Sequence, residues 1–265
     1  MYDFTLHRPA SVDAAVAAIG SASDGKIMAG GMTLIPTLKQ RLASPSDVVD
    51  LGAIAGLKGI REEGGSIVVG AMTTHATVAA DPKVRAKIPA LAHLADGIGD
   101  PQVRNRGTIG GSIANNDPAA DYPAGLVGLG ATVHTTKRQI PADDFFTGMF
   151  ETALAEDEIV TAVAFPVPEK AAYMKFANPA SRYAIVGVMV SKGPAGLRVA
   201  VTGAGPSVFR LAEAESALGG SFSADAVAKV TVSSDGLNSD MHASAEYRAN
   251  LVRVMLKRAV AKAAG

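Results

Sequence analysis

Short apolar runs alternate with helix-spaced apolar positions through the first half of the chain, and beyond its middle the apolar runs follow one another directly. Ser11 precedes the stretch VDAAVAAI, a hydroxyl cap ahead of a helix. The run 26–29 reads as a strand; Leu34, Ile35, Leu38 and Leu42 suit one face of a helix reaching about Leu42; 47–51 reads as the next strand. A second unit opens with a strand at 66–71. It continues through helical segments at 74–80 and 84–95, a glycine turn, a helix at 119–129 and a strand at 131–136. Near Pro166-Val167-Pro168 the pattern changes. The apolar runs 159–165, 171–176, 184–190 and 197–202, separated by short Gly, Pro, Asn or Lys connections, predict an antiparallel meander. A closing helix after Ser244 places Tyr247, Leu251, Val254 and Met255 on one face.

This pattern predicts an α+β protein in three parts. These are an N-terminal α/β subdomain over 1–56, a second α/β subdomain over 57–166, and a C-terminal antiparallel-sheet and helix subdomain over 167–265. Hydrophobic residues make up 48% of the 265, enough for a sizeable core. Twenty-five basic residues against twenty-five acidic ones leave no net charge, which argues against a nucleic-acid footprint or a polybasic membrane patch. No stretch approaches the roughly 18 apolar residues of a membrane span, and no leader pattern opens the chain, so the expected location is the cytoplasm. There is no cysteine, which excludes disulfides, zinc–thiolate sites and any iron–sulfur cluster ligated within this polypeptide.

Two segments stand out, AGGMTLIP at 29–36 and VRNRGTIGGSIANNDPAAD at 103–121. Each holds an adjacent glycine pair that lets the main chain approach a ligand closely, so that successive N–H groups can converge on an anion. A lone Gly-Gly pair usually marks a turn. Two pairs with polar flanks point to a shared phosphate-bearing cofactor. Other familiar patterns are missing: no G-x-G-x-x-G, no Walker loop, no H-E-x-x-H and no nucleophile elbow. His7, His75, His93, His134 and His242 lack metal-ligand spacing and read as surface or satisfied structural residues.

Taken in order, AGGMTLIP, IGDPQVRNRGTIGGSIANNDPAADYPA, DDFFTGMFETAL, EDEIVTAVAFP, YMKFANPASRYAIVGV and SAEYRANLVRVMLKRAV resemble the FAD-binding medium subunit of molybdenum hydroxylases. This is the carbon monoxide dehydrogenase and xanthine dehydrogenase family, and the resemblance covers essentially the whole chain. It implies an oxidoreductase with a vanillyl-alcohol-oxidase-like (PCMH-type) fold that binds FAD noncovalently. It further implies a small partner subunit carrying [2Fe-2S] clusters and a large one carrying the molybdenum cofactor, assembled as a dimer of heterotrimers, with electrons leaving through the FAD to an external acceptor.

Residue by residue, the resemblance assigns Ile27, Met28, Ala29, Gly30, Gly31, Met32, Thr33 and Leu34 to the first flavin segment. Thr108, Ile109, Gly110, Gly111 and Ser112, with Ala114 and Asn115, form the second. The family usually has a polar residue at the place of Met32. Asp121 matches an acid that accepts hydrogen bonds from flavin hydroxyls, and Val160 an apolar flavin contact, with Ile98 a weaker match of the same kind. Lys175 corresponds to a lysine near the isoalloxazine edge and Tyr183 to a residue against the ring face, the two positions implied to act in catalysis. A self-contained flavin oxidase and a non-catalytic binding protein are the alternatives. The former requires a larger substrate-capping domain than the roughly 100 residues after Pro166 provide.

Overall fold

Three main sheets and a two-stranded hairpin organise the chain, and the computed structural model describes all of residues 1–265. The first contains β1 (Thr5–His7), β2 (Gly25–Met28) and β3 (Asp47–Asp50), with β3 in the middle and parallel to both neighbours. Helix α1 (Val12–Ser21) connects β1 to β2; the Ser11 hydroxyl accepts the Ala14 N–H at 3.2 Å and so caps it. Ala15 and Ile19 on its inner face join Val49 and Leu51 in a small core that extends to Leu57, Met72 and Ile159 of the next unit.

Helix α2 (Leu34–Lys39) stops short of the expected end at Leu42. Arg41 takes a φ of 59°, and the N–H groups of Arg41 and Leu42 return to the carbonyls of Leu38 and Thr37, each at 3.1 Å. These paired bonds close the helix one turn early. Leu42 is left 74% exposed, off the face its spacing suggested.

The second sheet contains β4 (Ile60–Glu63), β5 (Ser66–Gly70), β6 (Thr132–Thr135), β7 (Gln139–Pro141) and, beyond the hairpin β8 (Phe146–Gly148) and β9 (Glu151–Thr152), β10 (Val160–Pro166). Its order is β4-β5-β10-β6-β7 and every pairing is antiparallel, so this unit departs from the alternating α/β arrangement of the first. Strand β10 was expected to begin the C-terminal meander. It lies here instead because Val163 pairs with Val69 on one side and Val133 on the other, completing a buried centre.

Between β5 and β6 run α3 (His75–Ala80), α4 (Pro82–Lys87), α5 (Pro89–Asp96), α6 (Pro101–Arg106), α7 (Ile109–Asn115) and α8 (Tyr122–Leu129). The helical stretch expected at 84–95 is thus two helices, broken at Ile88 (φ −136°), where Pro89 disfavours helical geometry in the residue before it. A short α9 (Ala142–Phe145) follows β7. Every residue of α8 is buried.

The third sheet is an antiparallel run of β11 (Lys170–Ala177), β12 (Ala184–Gly193), β13 (Gly196–Thr202) and β14 (Phe209–Arg210), followed by α10 (Ala212–Gly220) and α11 (Ala245–Ala264). Val186, Val188 and Val190 of β12 pack on Val252, Leu256 and Val260 of α11, while Met189 joins the core around α8. Burial on both faces explains why β12 reads as a continuous apolar run. No helix is long and apolar enough to cross a membrane.

Candidate functional site

A cavity of about 670 Å³ is lined by all three units, within the size range of small-molecule and cofactor sites. The β2–α2 loop supplies Ile27, Ala29, Gly30, Gly31, Met32, Thr33 and Leu34. The α7 region supplies Thr108, Gly110, Gly111, Ser112, Ala114, Asn115, Asp117 and Asp121; Ile98 and Val160 add apolar wall, and Ser181, Arg182 and Tyr183 close it from the β11–β12 loop. Of the residues expected here, Met28, Ile109 and Lys175 do not line the cavity. Met28 points its sulfur toward Gly31, Ile109 is fully buried in the core, and Lys175 stands behind Asp121.

The two glycine segments make different contributions. In the first, Gly31 takes a φ of +75°, which a side chain would strain, and turns the chain into α2. The N–H groups of Gly30, Gly31, Met32 and Thr33 find no acceptor within the chain, so four consecutive donors stand at the cavity. In the second, the glycine pair was expected to form a turn with free N–H groups. It occupies the first turn of α7 instead, and its donors are used internally. Ile109 N–H bonds Thr73 O at 3.1 Å, Gly110 N–H bonds Ala71 O at 2.8 Å, and Gly111 N–H bonds the capping Thr108 hydroxyl at 3.1 Å. These bonds tie α7 to the end of β5 and leave none of the three for an anion.

The second segment serves as the surface against which the first is pressed. A Cβ on Gly30 would collide with the Arg106 carbonyl oxygen and lie 3.0 Å from Gly107 Cα, and one on Gly111 would lie 3.1 Å from Ala29 Cβ. Backbone therefore rests on backbone where the loops meet.

Asp121 is 4% exposed and accepts a 2.5 Å hydrogen bond from the Tyr173 hydroxyl. Burial pushes its carboxyl up, opposed by the Lys175 ammonium and the Tyr173 hydroxyl. Lys175 was expected at the edge of a flavin ring. Its ammonium is enclosed: besides Asp121 it donates to Gly97 O at 2.8 Å and Arg182 O at 2.9 Å, so all three protons have acceptors. Tyr183 is 45% exposed and follows Arg182, whose φ is 62°. The loop beneath it is held by Asn178, which accepts from the Ala180 and Ser181 N–H groups and donates its own N–H to Tyr183 O at 2.8 Å. Tyr183 also lines a second cavity of about 500 Å³ that reaches Phe150 and His242.

Sequence reasoning missed His75. It is 4% exposed, lines the main cavity, and has a ring Nδ1 with no hydrogen-bond partner. Burial lowers its pKa to about 4, with the Arg104 guanidinium adding to the effect. It is neither a surface nor a satisfied histidine, and only the tertiary placement of α3 distinguishes it from the other four. Asp117, Glu158 and Ile159 also line the cavity without having been singled out.

Residues 2–168 match the FAD binding domain in molybdopterin dehydrogenase, and residues 171–263 match the CO dehydrogenase flavoprotein C-terminal domain. The chain belongs to this family of molybdopterin-dehydrogenase flavoproteins, with its α+β, PCMH-type FAD-binding fold and C-terminal antiparallel sheet. It is 38% identical to the nicotine 6-hydroxylase medium subunit of Paenarthrobacter nicotinovorans over 96% of this chain and 95% of that one. The carbon monoxide dehydrogenase medium chain of Hydrogenophaga pseudoflava is 36% identical, covering 97% and 96%. In three dimensions it is similar to reconstituted CO dehydrogenase from Oligotropha carboxidovorans, with a TM-score of 0.90 at 36% identity, covering 98% of this chain and 97% of that one. Its relatives are subunits of dehydrogenases, and the chain is accordingly a flavoprotein component of an oxidoreductase.

Proposed function

We propose that this chain is the FAD-carrying electron-transfer subunit of a molybdenum hydroxylase of three different subunits. It receives electrons from the [2Fe-2S] clusters of a small partner subunit and passes them to an external acceptor, while substrate is oxidised at the molybdenum cofactor of a large partner subunit. The four unpaired N–H groups from Gly30 to Thr33 carry this reading, because such a row suits a diphosphate and has no acceptor in the protein. FAD bound there supplies the step between the one-electron chemistry of the clusters and a two-electron acceptor.

The geometry supports the following individual roles. Gly30, Gly31, Met32 and Thr33 hold the diphosphate through backbone, with the side chains of Ser112 and Asn115 opposite. The Asp121 carboxylate retains lone pairs beyond those used by Tyr173 and Lys175, and these accept flavin hydroxyls. Ile98, Ile159 and Val160 give apolar wall, and Tyr183 lies against the ring. Lys175 is a positioning residue that holds Asp121 and the Tyr183 loop in one arrangement.

A chain with no cysteine requires the clusters to be carried by a partner. Relatives named for nicotine and for carbon monoxide are similarly close, so the choice of substrate resides outside this subunit. We assign a dimer of heterotrimers in the cytoplasm, and the division of this chain near residues 56 and 166.

Purification from the native source tests the proposal. Yellow protein that contains iron and molybdenum with two further subunits, and releases FAD into the supernatant on acid precipitation, is the expected result. A flavin-free protein, or a monomer that turns over an organic substrate by itself, overturns it.

A further inference from the structure

We propose that His75 is a ligand of the bound flavin nucleotide, donating an Nε2–H bond to its diphosphate while Tyr122 stands behind the ring; this rests on the FAD reading above. His75 opens α3, and its backbone N–H bonds Gly107 O at 3.0 Å, fixing it to the second glycine segment. A Cβ on Gly107 would lie 2.6 Å from His75 Nε2, so that nitrogen faces the backbone of Gly107. Gly107 Cα is also the atom 3.0 Å from the position of a Gly30 Cβ. One glycine therefore separates the imidazole from the loop whose N–H groups are free, and His75 lines the same cavity as that loop.

On the other side of the imidazole, the Tyr122 ring centroid is 5.4 Å away. The Tyr122 hydroxyl is fully buried and has no partner, and neither has His75 Nδ1. Buried polar atoms left unpaired are rare in native proteins. The two orphans are complementary: a phenol can donate, and the unprotonated nitrogen of a neutral imidazole accepts. With the ring proton on Nε2, the bare Nδ1 would accept from a water held by the Tyr122 hydroxyl. That tautomer points a donor at the cavity, where an acceptor-rich diphosphate completes its bonding. Arg104 of α6 and Tyr122 of α8 face the ring, and burial, with the Arg104 guanidinium, favours its neutral form.

Titration of FAD into the flavin-stripped complex, followed by quenching of flavin fluorescence, tests the assignment. His75→Leu is expected to weaken FAD binding by about 10-fold or more, the effect of losing one hydrogen bond to a charged group. His75→Gln, which restores an N–H donor, is expected to stay within about 3-fold of wild type. Because the leucine removes an unpaired nitrogen from the flavin-free state, its melting temperature without FAD should be unchanged or raised. Wild-type affinity in His75→Leu overturns the proposal. So does a loss of affinity in both variants that tracks an equal loss of melting temperature without flavin, the signature of a purely structural histidine. Failure of the wild-type protein to bind FAD overturns the reading on which the proposal rests.

Discussion

The Lys175 ammonium lies 3.0 Å from the Asp121 carboxylate in a pair almost closed to solvent. Removing one member of such a pair leaves the other buried without compensation, at a cost of about 3 to 5 kcal/mol. Asp121→Ala should therefore lower both FAD affinity and stability, while Asp121→Asn keeps an acceptor for the Tyr173 hydroxyl and loses less. Urea denaturation of the flavin-free forms measures the difference. Equal stability of the alanine variant and the wild type would show that the pair contributes nothing to the fold.

Lys175 also holds the loop that carries Tyr183, through Arg182 O at 2.9 Å. Lys175→Met is expected to speed amide hydrogen exchange across residues 178–183 and to slow reoxidation of the flavin. Reduction by the partner clusters should change less. Rapid mixing separates the two phases, and unchanged exchange in the loop would remove the positioning role.

Three glycine variants should rank by the space each needs. Gly30→Ala meets the Arg106 carbonyl directly and is expected to yield protein without flavin. Gly111→Ala puts its Cβ 3.1 Å from Ala29 Cβ and the Thr108 hydroxyl, so a shift of a few tenths of an ångström lets it retain part of its FAD. Gly111→Val should bind none. The ratio of flavin to protein absorbance reports the order.

Glu158 predicts a pH dependence. It accepts from Arg138 twice at 3.1 Å, from the Thr135 hydroxyl at 2.6 Å and from the Ala155 N–H at 3.0 Å. The Arg138 bonds, with the other donors, hold its pKa at about 2, against an ordinary 4.5. Because the folded value is the lower, the stabilisation is fully present above about 4.5 and is lost as pH falls toward about 2. Glu158→Gln should flatten this part of a melting-temperature profile and cost roughly 1 to 3 kcal/mol near neutral pH.

The glycine segments were legible because their signal is local: adjacent glycines with polar flanks, in the first segment directly after a short apolar run. Their unequal use was not, since the bonds from Ile109 and Gly110 go to Thr73 and Ala71, an arrangement fixed by how α7 docks on β5. The true neighbours of Lys175 were hidden for a similar reason. Gly97, Asp121 and Arg182 come together only through the register of β11 and the course of α5, which no periodicity encodes. The end of α2 was misjudged because spacing alone carried the helix to Leu42, whereas a left-handed Arg41 had already closed it. The strand at β10 was recognised as a strand and assigned to the wrong sheet, because an apolar run identifies its burial and says nothing of its partners.

The contact of Gly30 with Arg106 and Gly107 joins the first glycine loop to the second, so a nucleotide held by the donors beside it would act as a further fastener between the two units. The first sheet shares its small core with Leu57, Met72 and Ile159 of the next unit, so a ligand on the donors beside this contact would add to an apolar seat already present. Occupancy by flavin and docking of the first sheet would then be linked by mass action. In a cell short of flavin, the subunit would fray first at its N-terminal end, and proteases would remove unloaded copies before they could be built into an inactive complex.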